Sequence, residues 1–129
     1  MIDAQQLADR YVAVWNEIDA EARRQAIAGL WAPDGQHYAD AREARGYGAL
    51  EQRIANSHDK NVRMSRNCFR AVRNARALRD VVTFNWEMRP QDGERVLAAG
   101  LEILIVDDEG RILVDYQFVF GRAPAVAAA

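Results

Sequence analysis

The hydrophobic period of this chain changes part-way along, and that change restricts its architecture more than any other feature. In the first third, Leu7, Tyr11, Val14, Trp15 and Ile18 recur at the three-and-four spacing of one helical face. Asp3, followed three residues later by Gln6, is a capping-box pattern that starts this helix. Residues 16–19 interrupt the pattern, and Asp19 can cap a second helix with Ala22, Ile27, Leu30 and Trp31 as its apolar face. Pro33, Asp34 and Gly35 predict a stop and a turn. Residues 36–39 read as a short strand and 41–45 as a polar loop. A third, weaker helix is expected over 46–57, where Leu50 and Ile54 stand four apart.

The second half alternates instead. Phe84, Trp86 and Met88 form an apolar face against Thr83, Asn85 and Glu87, so 81–88 is a half-buried strand. A turn at 90–93, a strand over 96–106 and a hairpin turn at 107–110 follow. In the last strand, 112–120, Tyr116, Phe118 and Phe120 read as the apolar face opposite Asp115, Gln117 and Val119, with Gly121 and Pro124 ending it. Between the halves, arginines 63, 66, 70, 73, 76 and 79 recur every three or four residues. As a helix this is a basic stripe beside Met64, Val72, Ala75 and Leu78. As a strand, Cys68, Arg70 and Val72 alternate with Phe69, Ala71 and Arg73, with a turn at 74–77. The strand is preferred, because a smaller sheet buries too little. Helices followed by consecutive hairpin strands imply an α+β layer fold rather than a βαβ one.

Composition narrows the function classes. The length of 129 residues suits one domain, expected over 1–122, with 123–129 a low-complexity tail. A net charge of −2 gives no overall attraction to nucleic acid or anionic membranes. Cys68 is the sole cysteine, so no intrachain disulfide forms and a cytoplasmic location is expected. There is no basic-then-apolar leader and no apolar run near the ~20 residues that span a bilayer. No glycine-rich nucleotide motif is present, and His37, His58 and the lone cysteine lack zinc-ligand spacing, so neither cofactor nor metal is expected. Glu102 stands out: it is the only charge in residues 98–106. Buried there, it must pair, for instance with Arg70 or Arg73, or shift its pKa upward; otherwise it faces water. A perturbed carboxyl in an apolar pocket is a candidate functional group.

Four stretches together resemble the nuclear transport factor 2-like superfamily, which includes ketosteroid isomerases, SnoaL-like polyketide cyclases, limonene epoxide hydrolases and scytalone dehydratases. They are Arg10-Tyr11-Val12-Ala13-Val14-Trp15-Asn16 with Asp19; Leu30-Trp31-Ala32-Pro33-Asp34-Gly35; Gly46-Tyr47-Gly48-Ala49-Leu50; and Gly100-Leu101-Glu102 followed by Asp108-Glu109-Gly110-Arg111-Ile112. The resemblance runs to about Gly121. It implies a cone-shaped α+β fold, three helices packed on a curved antiparallel sheet that encloses a pocket, and a homodimer formed through the exposed sheet face.

In the isomerases of this superfamily a first-helix tyrosine and an acid on the penultimate strand form an oxyanion hole, which the resemblance carries onto Tyr11 and Glu102. The general-base aspartate of the isomerases aligns with Ala39, and Asp40 takes the place of the proline that follows it. A one-residue slip turns a side chain to the other face, so Asp40 serves as base only if the chain bulges. His37, two residues before the missing base, is the other candidate, with a partly exposed strand histidine as its structural alternative. The epoxide hydrolase set of Asp-Arg-Asp is absent, and His58 matches the dehydratase histidines only loosely. Trp15, Tyr38, Asn85, Trp86, Tyr116 and Phe118 are expected to line a site for a small apolar ligand, while Trp31 is assigned to the core.

Three functions are consistent with these residues. One is an isomerase, cyclase or dehydratase acting on a small apolar carbonyl compound by acid–base chemistry. Another is a ligand-binding or dimeric assembly module of the same fold without turnover. The third, contact with nucleic acid or membrane through the arginine stripe, is disfavoured by the acidic net charge and the scarcity of interleaved aromatics.

Overall fold

Both aspartates placed at helix starts by the sequence act as caps. In this computed structural model, which describes residues 2–120, α1 (Ala4–Asn16) begins where an Asp3 carboxylate oxygen accepts the Gln6 amide at 3.0 Å. Asp19 accepts the Ala22 amide at 2.9 Å and starts α2 (Ala20–Leu30). Each satisfies an amide that the first helical turn leaves without an intrahelical partner. α1 buries Leu7, Tyr11, Val12, Val14 and Trp15, whereas Ile18 falls beyond its end and is exposed. α3 (Gly46–Ser57) buries Leu50 and Ile54 and runs on into a π-helical segment, His58–Met64.

The strands are β1 (Trp31–Ala39), β2 (Arg42–Arg45), β3 (Asn67–Ala71), β4 (Arg76–Leu78), β5 (Val81–Pro90), β6 (Ala98–Val106) and β7 (Ile112–Phe120). They form one seven-stranded sheet in the order β2-β1-β7-β6-β5-β3, with β4 also paired to β5. Only β1 and β7 pair in parallel; every other pairing is antiparallel. The helices pack on one face, around a core that includes Trp31, Ile27, Phe84 and Leu104. No helix among the described residues is long and apolar enough to cross a membrane.

Several local expectations need correction. Pro33-Asp34-Gly35 is not a turn. It lies within β1, which begins at Trp31 and absorbs the triplet as an irregularity in its pairing with β7. Residues 42–45 form the edge strand β2; its hydrophobic signal is weak because only Ala44 is buried. The arginine-rich segment is strand at β3 and β4, as preferred, but Arg63 and Met64 belong to the π-helical segment and β4 overlaps the expected turn. The most consequential reversal is β7. Tyr116, Phe118 and Phe120 are 42, 51 and 50 % exposed on the outer face, and Asp115 points inward with no exposure at all. Antiparallel partners share a face, and Asp115 is paired with Leu104 and Gln117 with Glu102, both inward positions of β6. Gly121, Pro124 and the expected tail lie outside the described residues.

One glycine is required by packing. Gly100 is paired with Trp86 across β5 and β6, and the Trp86 indole lies so close over it that a Cβ there would overlap the ring. Gly100→Ala therefore displaces a buried indole. It should lower the stability to urea unfolding by about 1–3 kcal/mol, the usual range for overpacking, with the near-ultraviolet tryptophan dichroism altered.

Candidate active site

Four neighbouring strands each turn one polar or indole side chain inward along a diagonal row: His37 of β1 lies level with Asp115 of β7, and Glu102 of β6 and Trp86 of β5 follow, each two residues further along. Tyr11, on the buried face of α1, caps the row. Its hydroxyl is 2.5 Å from an Asp115 oxygen and 3.0 Å from a Glu102 oxygen. Trp86 donates its indole N–H to the other Glu102 oxygen at 2.7 Å. His37 Nδ1 lies 2.7 Å from the same Asp115 oxygen that Tyr11 contacts. His37, Glu102 and Asp115 are each at most 1 % exposed.

Proton counting fixes the state of this network. Burial, followed by the nearby Asp115 charge, pushes the Glu102 carboxyl well above its ordinary value of 4.5. Burial also pushes Asp115 upward. His37 and hydrogen bonds from Glu102, His37 and Tyr11 outweigh it, and Asp115 stays below its ordinary value. The opposite shifts place a proton shared by the pair on Glu102 rather than on Asp115. Burial and the two carboxyls raise the Tyr11 phenol well above 10.0, so Tyr11 keeps its own proton. A phenol has one hydrogen to give. Tyr11 therefore donates to the Asp115 carboxylate over the shorter contact and accepts from protonated Glu102 over the longer one. With Asp115 ionised, His37 Nδ1–H donates to it. Nε2 is buried without a hydrogen-bond partner among the described residues.

Beside this row lies a cavity of about 180 Å³. Trp15, Phe69, Trp86, Met88 and Ala98 form its apolar walls; Arg53, Asn56, Ser57, Lys60 and Asn61 form a polar one. Tyr11 is the only member of the carboxyl-phenol-imidazole network among its lining residues; Glu102, Asp115 and His37 stand behind the wall.

Of the residues singled out in the sequence, the fold brings Tyr11, Glu102, His37, Trp15 and Trp86 together here. It does not bring the others. Asp40 is exposed in the two-residue connection between β1 and β2, at a φ of 52°, a left-handed conformation that Asp tolerates. Asn85 bonds Asn74 and the Gly100 carbonyl outside the cavity, and Tyr38 stacks on Tyr116 on the outer face, with Phe118 nearby in the same strand. The suggested arginine partners of Glu102 lie elsewhere: Arg70 is exposed and Arg73 pairs with Asp9 at 2.8 Å. Asp115 and Arg53 escaped the sequence reading. The signal for Asp115 was its place two residues before Gln117 and thirteen after Glu102, on an inward row that the flanking aromatics disguised. Among the described residues no cluster of three or more His, Cys, Asp or Glu is arranged to hold a metal.

No protein family and no curated protein matches the sequence. Solved structures do. An Agrobacterium tumefaciens protein of the SnoaL-like family, provisionally named an isomerase, is 24 % identical over 94 % of this chain and 100 % of its own, with a TM-score of 0.84. The fold is SnoaL-like, within the nuclear transport factor 2-like class. A Sinorhizobium meliloti protein provisionally named a polyketide cyclase matches at 12 % identity, over 87 % of this chain and 93 % of its own, with a TM-score of 0.65. AclR of Streptomyces galilaeus, provisionally named a hydroxylase, matches at 18 % identity over 97 % and 94 %, also at 0.65. Proteins of this SnoaL-like fold thus carry several provisional activities, and the fold alone does not choose among them.

The protonation pattern has a stability signature. Because folding raises the Glu102 pKa, its contribution is complete below 4.5 and is lost as pH rises through the folded value. Asp115 is opposite: its contribution is present above 3.8 and lost as pH falls through its lowered folded value. Gln at 102 mimics the protonated acid, since its amide can donate to Tyr11 and accept from Trp86. Urea unfolding from about pH 4 to about pH 8 should show Glu102→Gln without the wild-type decline on the alkaline side. Asp115→Asn, which confronts two donors with an amide and removes the charge, should cost about 3 kcal/mol at neutral pH.

Proposed function

We propose that this chain is a cofactor-independent enzyme of the isomerase, cyclase or dehydratase type, acting by proton transfer on a small, largely apolar carbonyl compound. The observation that carries the proposal is a cavity-wall phenol, Tyr11, backed by a protonated buried acid, Glu102. A substrate oxygen that gains negative charge attracts the Tyr11 hydrogen away from Asp115. Glu102 continues to donate to Tyr11 and strengthens it as a donor. If the phenol gives up its proton, Glu102 replaces it. Asp115 retains His37 as a partner throughout. His37, oriented by Asp115, has a free Nε2 beside the cavity-lining Trp15, at a ring separation of 5.6 Å. It is a better placed base than exposed Asp40.

Cavity size restricts the substrate. Apolar cavities of roughly 150 Å³ take up benzene, so about 180 Å³ accommodates a one- or two-ring compound in preference to a steroid. The second reading, a binding module without turnover, is favoured by one feature: no carboxylate side chain lines the cavity among the described residues.

Exchange of α-hydrogens for deuterium in small cyclic ketones, followed by NMR, separates the two. Turnover should accelerate exchange, and Tyr11→Phe should reduce it by about 10²–10³-fold. Ketones that raise the melting temperature of wild type yet show no accelerated exchange would establish the binding module instead.

We further propose that the outer sheet face pairs with a second copy of the chain. Tyr38, Tyr116, Phe118 and Phe120 form an aromatic row there that a two-fold axis would bury. Phe118→Glu should convert a dimer to a monomer in sedimentation velocity; a wild-type monomer at high concentration would reject the pairing.

A further inference from the structure

The polar wall of the cavity carries charge of one sign. Arg53, Lys60 and Arg42 all line it, and no Asp or Glu does among the described residues. Arg53, Asn56, Ser57, Lys60 and Asn61 follow helical spacing along α3 and the π-helical segment, so they present one continuous strip to the cavity. Trp15, Trp86, Met88 and Ala98 on the other walls are apolar. The space is amphiphilic, with its cationic end built mainly from one helical face.

Arg53 is the decisive residue. It is half-buried, its guanidinium lies over the Trp15 ring at 5.0 Å from the centroid, and its Nε is buried without a hydrogen-bond partner. It makes no ion pair among the described residues, although other arginines of the chain do, such as Arg63 with Asp59 and Arg73 with Asp9. Burial works against its charge, and Arg42 on the adjacent edge strand works the same way. The carboxyls of the buried row favour the charge but are engaged with Tyr11, Trp86 and His37. A cation drawn out of water beside a second cation, with unfilled donor capacity, is unfavourable until an anion arrives. A guanidinium placed over an indole still has N–H groups to offer, and these can match a carboxylate through two parallel hydrogen bonds.

We infer that the ligand of this cavity is an organic anion, a one- or two-ring compound whose carboxylate is held by Arg53, with Arg42 and Lys60 at the mouth. This rests on the functional reading above and deepens it: the carbonyl or hydroxyl oxygen that meets Tyr11 belongs to a carboxylic acid, with the ring between the two ends against Trp15 and Trp86.

Isothermal titration calorimetry tests this with benzoate, phenylacetate and phenylpyruvate against benzamide and phenylacetamide, which match the first two acids in shape without the charge. Wild type should bind the carboxylates at least about tenfold more tightly than the amides, the worth of one charge-assisted hydrogen-bonded pair. Arg53→Gln should abolish that preference, Arg53→Lys should restore part of it, and melting curves should show both variants folded. Inorganic phosphate is the control for charge alone; if it binds as tightly as the carboxylates, the site selects a free anion and the inference fails. It fails equally if amides bind as well as acids, if no carboxylate binds, or if Arg53→Gln keeps the preference. Tyr11→Phe separates the two proposals. Carboxylate preference without Tyr11-dependent exchange leaves the anion site standing and removes the proton-transfer reading. Tyr11-dependent exchange on neutral ketones without any charge preference does the reverse.

Discussion

One proton held between two buried carboxyls organises the interior of this protein. Glu102 and Asp115 sit on adjacent strands, and both are fully excluded from solvent. Two carboxylates so placed cannot both ionise. The solution here is asymmetric. Asp115 has the imidazole of His37 and carries the charge; Glu102 has only the indole of Trp86 and keeps the proton. Tyr11 joins the halves and can do so in only one hydrogen-bonding direction. Each element then has its register dictated. β1 must pair in parallel with β7 to set His37 beside Asp115. β6 must offer Gly100 so that the Trp86 ring can approach the backbone there and reach Glu102. α1 must turn the Tyr11 side of its apolar stripe toward the sheet.

The parts of this arrangement that sequence reasoning could reach are those whose surroundings were unambiguous. Glu102 was conspicuous as a lone charge within an apolar run, and Tyr11 lay on a clean helical stripe. Asp115 was hidden by its neighbours. Tyr116, Phe118 and Phe120 form so strong an alternating pattern that they claim the inward face, whereas the hydrogen-bond register with β6 gives that face to Asp115 and Gln117. An alternating strand tells which residues share a face and leaves open which face is buried. Both faces of β7 contain groups that want partners: polar ones that meet Tyr11 and His37, and aromatic ones that meet Tyr38 or the surroundings. Residues 41–45 were missed as strand for a related reason, since an edge strand exposed along most of its length has no hydrophobic signature. Asp40 looked like a displaced base because the alignment has no means of seeing that its backbone occupies a left-handed turn.

Arg53 illustrates a different limit. Its position on α3 satisfies any helical pattern for a polar face, and a surface arginine is the ordinary reading. What sets it apart is the cavity that it lines between the helices and the sheet, together with the Trp15 ring from α1 that its guanidinium lies over. Those are properties of three elements meeting, and no single stretch of sequence contains them. Trp15 itself has three roles: it packs near Tyr11 at 6.0 Å, it stands near His37 at 5.6 Å, and it supports Arg53. It thereby links the proton-holding row to the cationic strip across the cavity.

That geometry explains why the two halves of the site need not be alike in stability. The buried row is a net cost to the fold in comparison with apolar side chains of equal volume, because desolvated charges recover only part of their hydration through one another. It is offset by the surrounding core of Trp31, Ile27, Phe84 and Leu104, which is built from residues with little or no exposure. Arg42 and Lys60 are exposed, so water compensates their charge, whereas half-buried Arg53, with its Nε unpartnered, keeps a demand that a ligand can meet. A ligand that spans the cavity therefore meets a fixed hydrogen-bonding end at Tyr11 and an adaptable electrostatic end at Arg53. Orientation is set where the chemistry would occur, and the longer, more mobile side chains take up differences in ligand length.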